Sequence, residues 1–138
     1  SNYSRAWVHR RLGSTYVVER AVWEKRAACR GSDRPNDFYA DVDSHDFRRA
    51  QRMCAKCPVR KECLTHALVV DEPFGLWGGI SARVRSRARS VVRLGHLSLE
   101  DAVNLLLEGA TVDPLTMNLR REIDTRREGW PWASNNSV

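Results

Sequence analysis

The chain has 138 residues, 42% apolar and 29% charged, with 23 basic against 17 acidic side chains for a net charge of +6. That length fits one modest domain, and a mean hydropathy of −0.52 leaves a small core that a metal would help to hold. No apolar run approaches a membrane span and no apolar signal core precedes the first helix, so a membrane role is not expected and a cytoplasmic location is.

In chain order, residues 1–15 read as a flexible leader. A helix is expected over 16–28, with Val18, Val22, Trp23 and Ala21 on its buried side. Residues 30–43 (RGSDRPNDFYADVD) read as loop, with Phe38 and Tyr39 tucked back onto the core. Ser44 or Asp43 caps a short helix to Met53. Pro58 opens another that runs to about Val70, with Val59, Cys63, Ala67 and Val70 forming one inward stripe.

The glycine turn GLWGGI follows, and Ser81 caps a helix over 82–93. On that helix Val84, Ala88 and Val91 share a side, and arginines cover the rest. Ser98 with Asp101 opens a further helix closed by Gly109, and another is expected from Pro114 to Glu128 before the trailing WPWASNNSV. The fold class is therefore all-α: about four short helices over 16–94, plus a helical C-terminal extension over 95–138.

Charge is unevenly placed. Residues 1–80 carry 14 basic and 10 acidic groups, 81–93 carry five arginines and no acid, and 94–138 carry four basic and seven acidic groups. Arg83, Arg85, Arg87, Arg89 and Arg93 have the density of a phosphate footprint, although a solvated helix face has the same composition. The helix pair beyond residue 95 suggests helix-turn-helix, but its net −3 argues against DNA contact. It reads as a packing or partner-binding appendage.

Cys29, Cys54, Cys57 and Cys63 are spaced C-x24-C-x2-C-x5-C. Outside a secreted context, three cysteines within ten residues read as metal ligands before disulfides. Four converging thiolates repel, and a cation or an iron–sulfur core removes that cost. Zinc sites of four cysteines pair two short knuckles, whereas one knuckle with isolated ligands is closer to iron–sulfur spacing; both remain open. His66, three residues beyond Cys63, is a candidate substitute ligand, although with four cysteines available a packed or surface histidine is the expectation.

WEKRAAC (23–29), the Phe38–Tyr39 pair, CAKCPVRKECLTHAL (54–68), GLWGGI (75–80) and the basic helix after it resemble the WhiB-like proteins of actinobacteria and their phages. The likeness covers about residues 22–93. It implies a 4Fe-4S cluster on the four cysteines and a role in transcription through the C-terminal domain of the primary sigma factor in RNA polymerase. It further implies that the turn Gly75, Leu76, Trp77, Gly78 and Gly79 meets sigma, with Leu76 in place of the usual Val or Ile, and that the arginine helix contacts promoter DNA. Sensing of nitric oxide or oxygen through the cluster is implied as well.

Independently of that likeness, glycines let backbone approach a cluster closely, and tryptophan has the profile of an interface anchor. A plain lid over the cluster is the competing role for Trp77. Two other classes of function are weighed against a regulator without enzymatic activity. One is a disulfide reductase acting through Cys54 and Cys57, which lacks the surrounding βαβ pattern. The other is a zinc-stapled adaptor.

Overall fold

The computed structural model of the protein describes residues 20–117. The leader 1–15, Val18 and the segment 118–138 lie outside the described residues. Five α-helices are present among the described residues: α1 (Arg20–Trp23), α2 (His45–Ala55), α3 (Arg60–Val70), α4 (Ala82–Arg93) and α5 (Leu99–Leu107). Residues 114–117 form a helical turn, where the last expected helix begins.

The helices start where side-chain acceptors satisfy the first free amides. Ser44 accepts from the Phe47 N–H at 3.1 Å, Ser81 from Val84 at 3.4 Å, and Ser98 from Asp101 at 3.0 Å. Asp113 does the same for Leu115 and Thr116 at the turn over 114–117. Gly109, at φ +89°, ends α5 in a left-handed conformation, with the Ala110 N–H returning to Leu105. α3 begins two residues later than expected, because Pro58 and Val59 form the turn that joins it to Cys57.

α3 is the central helix. Its buried residues Leu64, His66, Ala67, Leu68 and Val69 cover more than one side, so the single stripe expected of it is too narrow. The reason is that α3 is covered from two directions. Leu64, Leu68 and Val69 meet Ala88 and Val91 of α4 and Leu99, Val103 and Leu106 of α5 in one core, completed by Val112. The helix expected as an appendage thus shares the core. At roughly 1.5–3 kcal/mol for each large apolar side chain removed from water, its three residues contribute substantially.

A second, smaller core joins α2 to the turns. Phe47, Ala50 and Cys54 pack with Leu76, and Phe38 closes its side. The loop before α2 is pinned by charge: Arg49 Nε donates to Asp37 Oδ2 at 2.7 Å and its Nη2 donates to Asp46 at 2.6 Å. The Arg49 hydrogen bond holds the Asp37 carboxyl below the usual carboxylate range. This fixes the 3-10 turn Pro35–Tyr39, whose Phe38 carbonyl accepts from the Leu76 N–H at 2.8 Å.

α1 differs from the sequence expectation. Residues 16–19 of the expected helix lie outside the described residues. The described part is one turn, followed by the 3-10 turn Glu24–Arg26 where helix is expected, and Val22 is 57% exposed while Trp23 is 3% exposed. In that turn one large ring packs inward and its neighbour faces solvent.

Candidate metal centre

Cys29, Cys54, Cys57 and Cys63 all line one cavity of about 240 Å³. Each arrives from a different local structure. Cys54 is buried near the end of α2, Cys57 lies in the turn to α3, Cys63 sits one turn into α3, and Cys29 stands in the exposed turn after Arg26. The Cys57 N–H returns to the Cys54 carbonyl at 3.0 Å, so the C-x2-C pair is a tight turn between two helices. Cys29 is tied in through its neighbour, since the Ala28 N–H donates to Cys57 Sγ at 3.4 Å.

The thiols stand in one another's field. Burial pushes the Cys54 thiol up to about 11 and the Cys63 thiol up to about 12. Cys29 is raised by burial and then by Cys57. Two backbone groups work the other way: Gly79 lowers the Cys54 thiol and Gly78 lowers the Cys63 thiol, each favouring the thiolate.

Those glycines belong to GLWGGI. Trp77 and Ile80 form an isolated antiparallel bridge, with the Ile80 N–H donating to Trp77 at 3.0 Å. Between them Gly78 and Gly79 have φ of +61° and +80°. Positive φ at both central positions is the type I′ turn, which glycine adopts without penalty. Space demands glycine too, because a Cβ on Gly78 would lie 2.7 Å from Leu64 Cβ. The turn therefore presses its backbone against α3 and stands beside Cys54 and Cys63.

Trp77 lines the cavity and is half-buried. Its Nε1–H donates to the Phe74 carbonyl at 3.1 Å. One ring neighbour is His66 at 5.5 Å, itself 5.8 Å from Trp23, and Arg20 lies 5.2 Å over the indole. Burial, then the Arg20 charge, pushes the His66 pKa down, while Glu72 at 3.4 Å opposes them. His66 is thus a packing element beside the cavity and does not line it. Phe74 (71% exposed) and Tyr39 (63% exposed) leave apolar surface near the turn. Leu76 and Gly78, expected at a partner surface with Trp77, are buried instead.

The arginines of α4 divide into two sets. Arg83, Arg87 and Arg93 are exposed, with Arg87 lying 3.7 Å from Asp113. Arg85 is 2% exposed, and its guanidinium donates to the carbonyls of Glu72, Phe74, Gly75 and Ile80 at 2.6–3.3 Å. It does not stand on the surface expected of it. Arg89 Nε donates to the Leu68 carbonyl at 2.8 Å and its Nη1 pairs with Asp71 at 2.9 Å. These two residues cap the end of α3 and brace the glycine turn. The spacing holds the signal, since Arg85, Ala88 and Val91 fall on one side of a helix.

Sequence reasoning also missed Arg60, which lines the cavity and donates through Nε to the Gly78 carbonyl at 2.8 Å. Its place at the start of α3, midway between Cys57 and Cys63, is the only sequence signal for it.

Four thiolates around a single zinc ion stand about 3.8 Å apart, given Zn–S bonds of about 2.3 Å. Among the described residues no three His, Cys, Asp or Glu side chains converge closely enough to hold one metal ion. Four thiols lining one mostly apolar cavity are compatible with a sulfide-containing core.

The family described as "Transcription factor WhiB" matches residues 23–88. The chain is 42% identical over 71 residues to the "Transcriptional regulator WhiB" of Streptomyces coelicolor, spanning 51% of this chain and 79% of that protein. It is 43% identical over 68 residues to the "Redox-responsive transcriptional regulator WhiB3" of Mycolicibacterium smegmatis, spanning 46% of this chain and 71% of that one. The "Transcriptional regulator WhiB2" of the same organism is 42% identical over 72 residues and matched over 54% of its length. The family match ends within α4, so α5 lies outside it.

Proposed function

The chain belongs to the WhiB family of transcription factors, and from that premise we propose that it is a redox-responsive regulator holding a 4Fe-4S cluster on Cys29, Cys54, Cys57 and Cys63. It acts through the C-terminal domain of the primary sigma factor in RNA polymerase, with the exposed arginines of α4 on promoter DNA. The observation that carries this reading is that the four thiols line one cavity together with Leu76, Trp77 and Gly78 of the glycine turn.

When bound, the cluster supplies a centre that gains or loses electrons and that small oxidants disassemble. The chain's own residues supply the rest. Cys54 and Cys63 stand beside Gly79 and Gly78, which offset part of the burial cost of two thiolates. Trp23 and Trp77 line the cavity. Trp77 then has one role inward and one outward, where Phe74 and Tyr39 extend the apolar surface around it. A buried aromatic anchor in such a surface is worth ~2–4 kcal/mol of binding.

A disulfide reductase through Cys54 and Cys57 is the second reading; against it, burial raises the Cys54 thiol, away from the lowered pKa that attack needs. The relatives are named transcriptional regulators. Among the described residues no helix is long and apolar enough to cross a membrane.

Co-isolation with the primary sigma factor tests the partner. Trp77→Ala is expected to lose the complex while retaining iron. A sigma complex that survives this substitution would leave the turn a lid alone.

A further inference from the structure

Arg60 is the first residue of α3, three after Cys57 and three before Cys63. Its Nε donates to the Gly78 carbonyl at 2.8 Å. A Cβ built on Gly79 would lie 3.1 Å from Arg60 Nη2 and 3.4 Å from its Nε, so the guanidinium is laid against the backbone of the turn. That backbone lies beside the cysteines: a Cβ on Gly79 would stand 3.4 Å from Cys54 Cβ, and Gly78 and Gly79 favour the Cys63 and Cys54 thiolates. The guanidinium also lines the cavity with the four thiols, and its charge acts on Cys54.

The other cations nearby have different duties. Arg20 lines the cavity but is held by Glu24 at 2.8 Å and stacked on Trp77. Arg85 holds the turn through the carbonyls of Glu72, Phe74, Gly75 and Ile80 and does not line the cavity. Among the described residues, Arg60 alone joins a cavity-lining charge to a hydrogen bond on the Gly78–Gly79 turn.

We infer that Arg60 is a positioning residue of the cluster site: it locks the Gly78–Gly79 backbone beside Cys63 and Cys54 and sets a fixed positive charge in the cavity wall, favouring the reduced cluster. The inference rests on the proposed cluster. A 4Fe-4S core in its 2+ state with four thiolates carries a net charge of −2, and one electron from an external reductant such as dithionite makes it −3. Hydrogen bonds to the sulfurs and a neighbouring cation both stabilise the more negative state, which raises the reduction potential. A guanidinium performs both tasks because its planar fork reaches the carbonyl while its charge stays delocalised and permanent.

Two variants of the full chain, isolated without oxygen, separate the tasks. Arg60→Gln keeps a donor for Gly78 and removes the charge. It is expected to lower the reduced-to-oxidised ratio at fixed potential at least tenfold, a shift of about 59 mV for one electron, read by dithionite titration with electron paramagnetic resonance. Arg60→Lys keeps the charge and loses the fork. It is expected to hold that ratio within threefold while the visible circular dichroism of the cluster changes.

Full iron loading with wild-type ratio and spectrum in both variants would overturn the inference. If Arg60→Gln does not load, Arg60→Lys decides, and an unchanged visible spectrum would overturn it. A wild-type chain that binds no iron fails the proposed function first, and the inference falls with it.

Discussion

The guanidinium of Arg85 donates to the carbonyl of Gly75, ten residues upstream, at 2.7 Å. Three more carbonyls of the same turn complete its shell. A residue that composition places in a phosphate footprint is therefore an internal brace, and the helix that presents surface charge also holds the turn facing the cysteines. Arg85→Ala removes four hydrogen bonds from a charged donor that is 2% exposed, each worth roughly 1.5–3 kcal/mol. We expect unfolding by urea at a markedly lower midpoint, with little recovery in Arg85→Lys, which lacks the fork. A wild-type midpoint for Arg85→Ala would contradict the brace.

The outward arginines predict a different signature. Arg83, Arg87 and Arg93 are exposed, so replacing them with Gln is expected to leave the urea midpoint nearly unchanged. DNA binding by the sigma complex should weaken evenly across sequences, and the slope of log affinity against log salt should shrink by about one for each lost phosphate contact. A salt slope unaltered in the triple variant would remove α4 from the DNA interface.

Glycine at position 78 is required by both backbone and space. Gly78→Ala places a Cβ at φ +61° and 2.7 Å from Leu64 Cβ. Gly31→Ala shares the positive φ, at +77°, but meets no atom within 4 Å. The first is expected to cost more than 2 kcal/mol by chemical denaturation and the second only the backbone penalty of about 1–2 kcal/mol. Equal losses would mean that the turn is not pressed on α3.

Metal-free, reduced protein is expected to lose stability as pH rises above neutral. Burial pushes Cys54 up to about 11 and Cys63 up to about 12, whereas in the unfolded chain thiols ionise near 8.5. Between those values the unfolded state has released protons that the folded state keeps, so stability falls with pH from about 8.5 until the folded thiols ionise. The loss is roughly 2.5 kcal/mol per thiol by pH 10.5. Urea midpoints at pH 8 and 10.5 measure it, and Cys63→Ser is expected to reduce the drop. A flat profile would place the thiols in contact with water.

Much of this arrangement is legible in the sequence because local chemistry decides it. Ser44, Ser81 and Ser98 cap the helices that follow them, and Gly78–Gly79 is a turn whose type follows from two residues without side chains. What the pattern leaves open depends on tertiary packing. Val22 and Trp23 are adjacent and apolar, and only contact with α3 decides which is buried. Arg85 is indistinguishable in composition from Arg83 and Arg87, yet one side of α4 faces the carbonyls left free at the end of α3 and around the turn. The partner of Leu99, Val103 and Leu106 is likewise set by the fold, which supplies α3 and α4. Arg60 is legible only once the turn is seen lying against it.

The central claim is that four thiols around one cavity hold a 4Fe-4S cluster. Iron, acid-labile sulfide and zinc counted per chain in protein isolated without oxygen test it most directly. The account predicts about four irons and four sulfides per chain in the wild type, with loss of that loading in each of Cys29→Ser, Cys54→Ser, Cys57→Ser and Cys63→Ser. A colourless protein carrying one zinc per chain and no sulfide would contradict it.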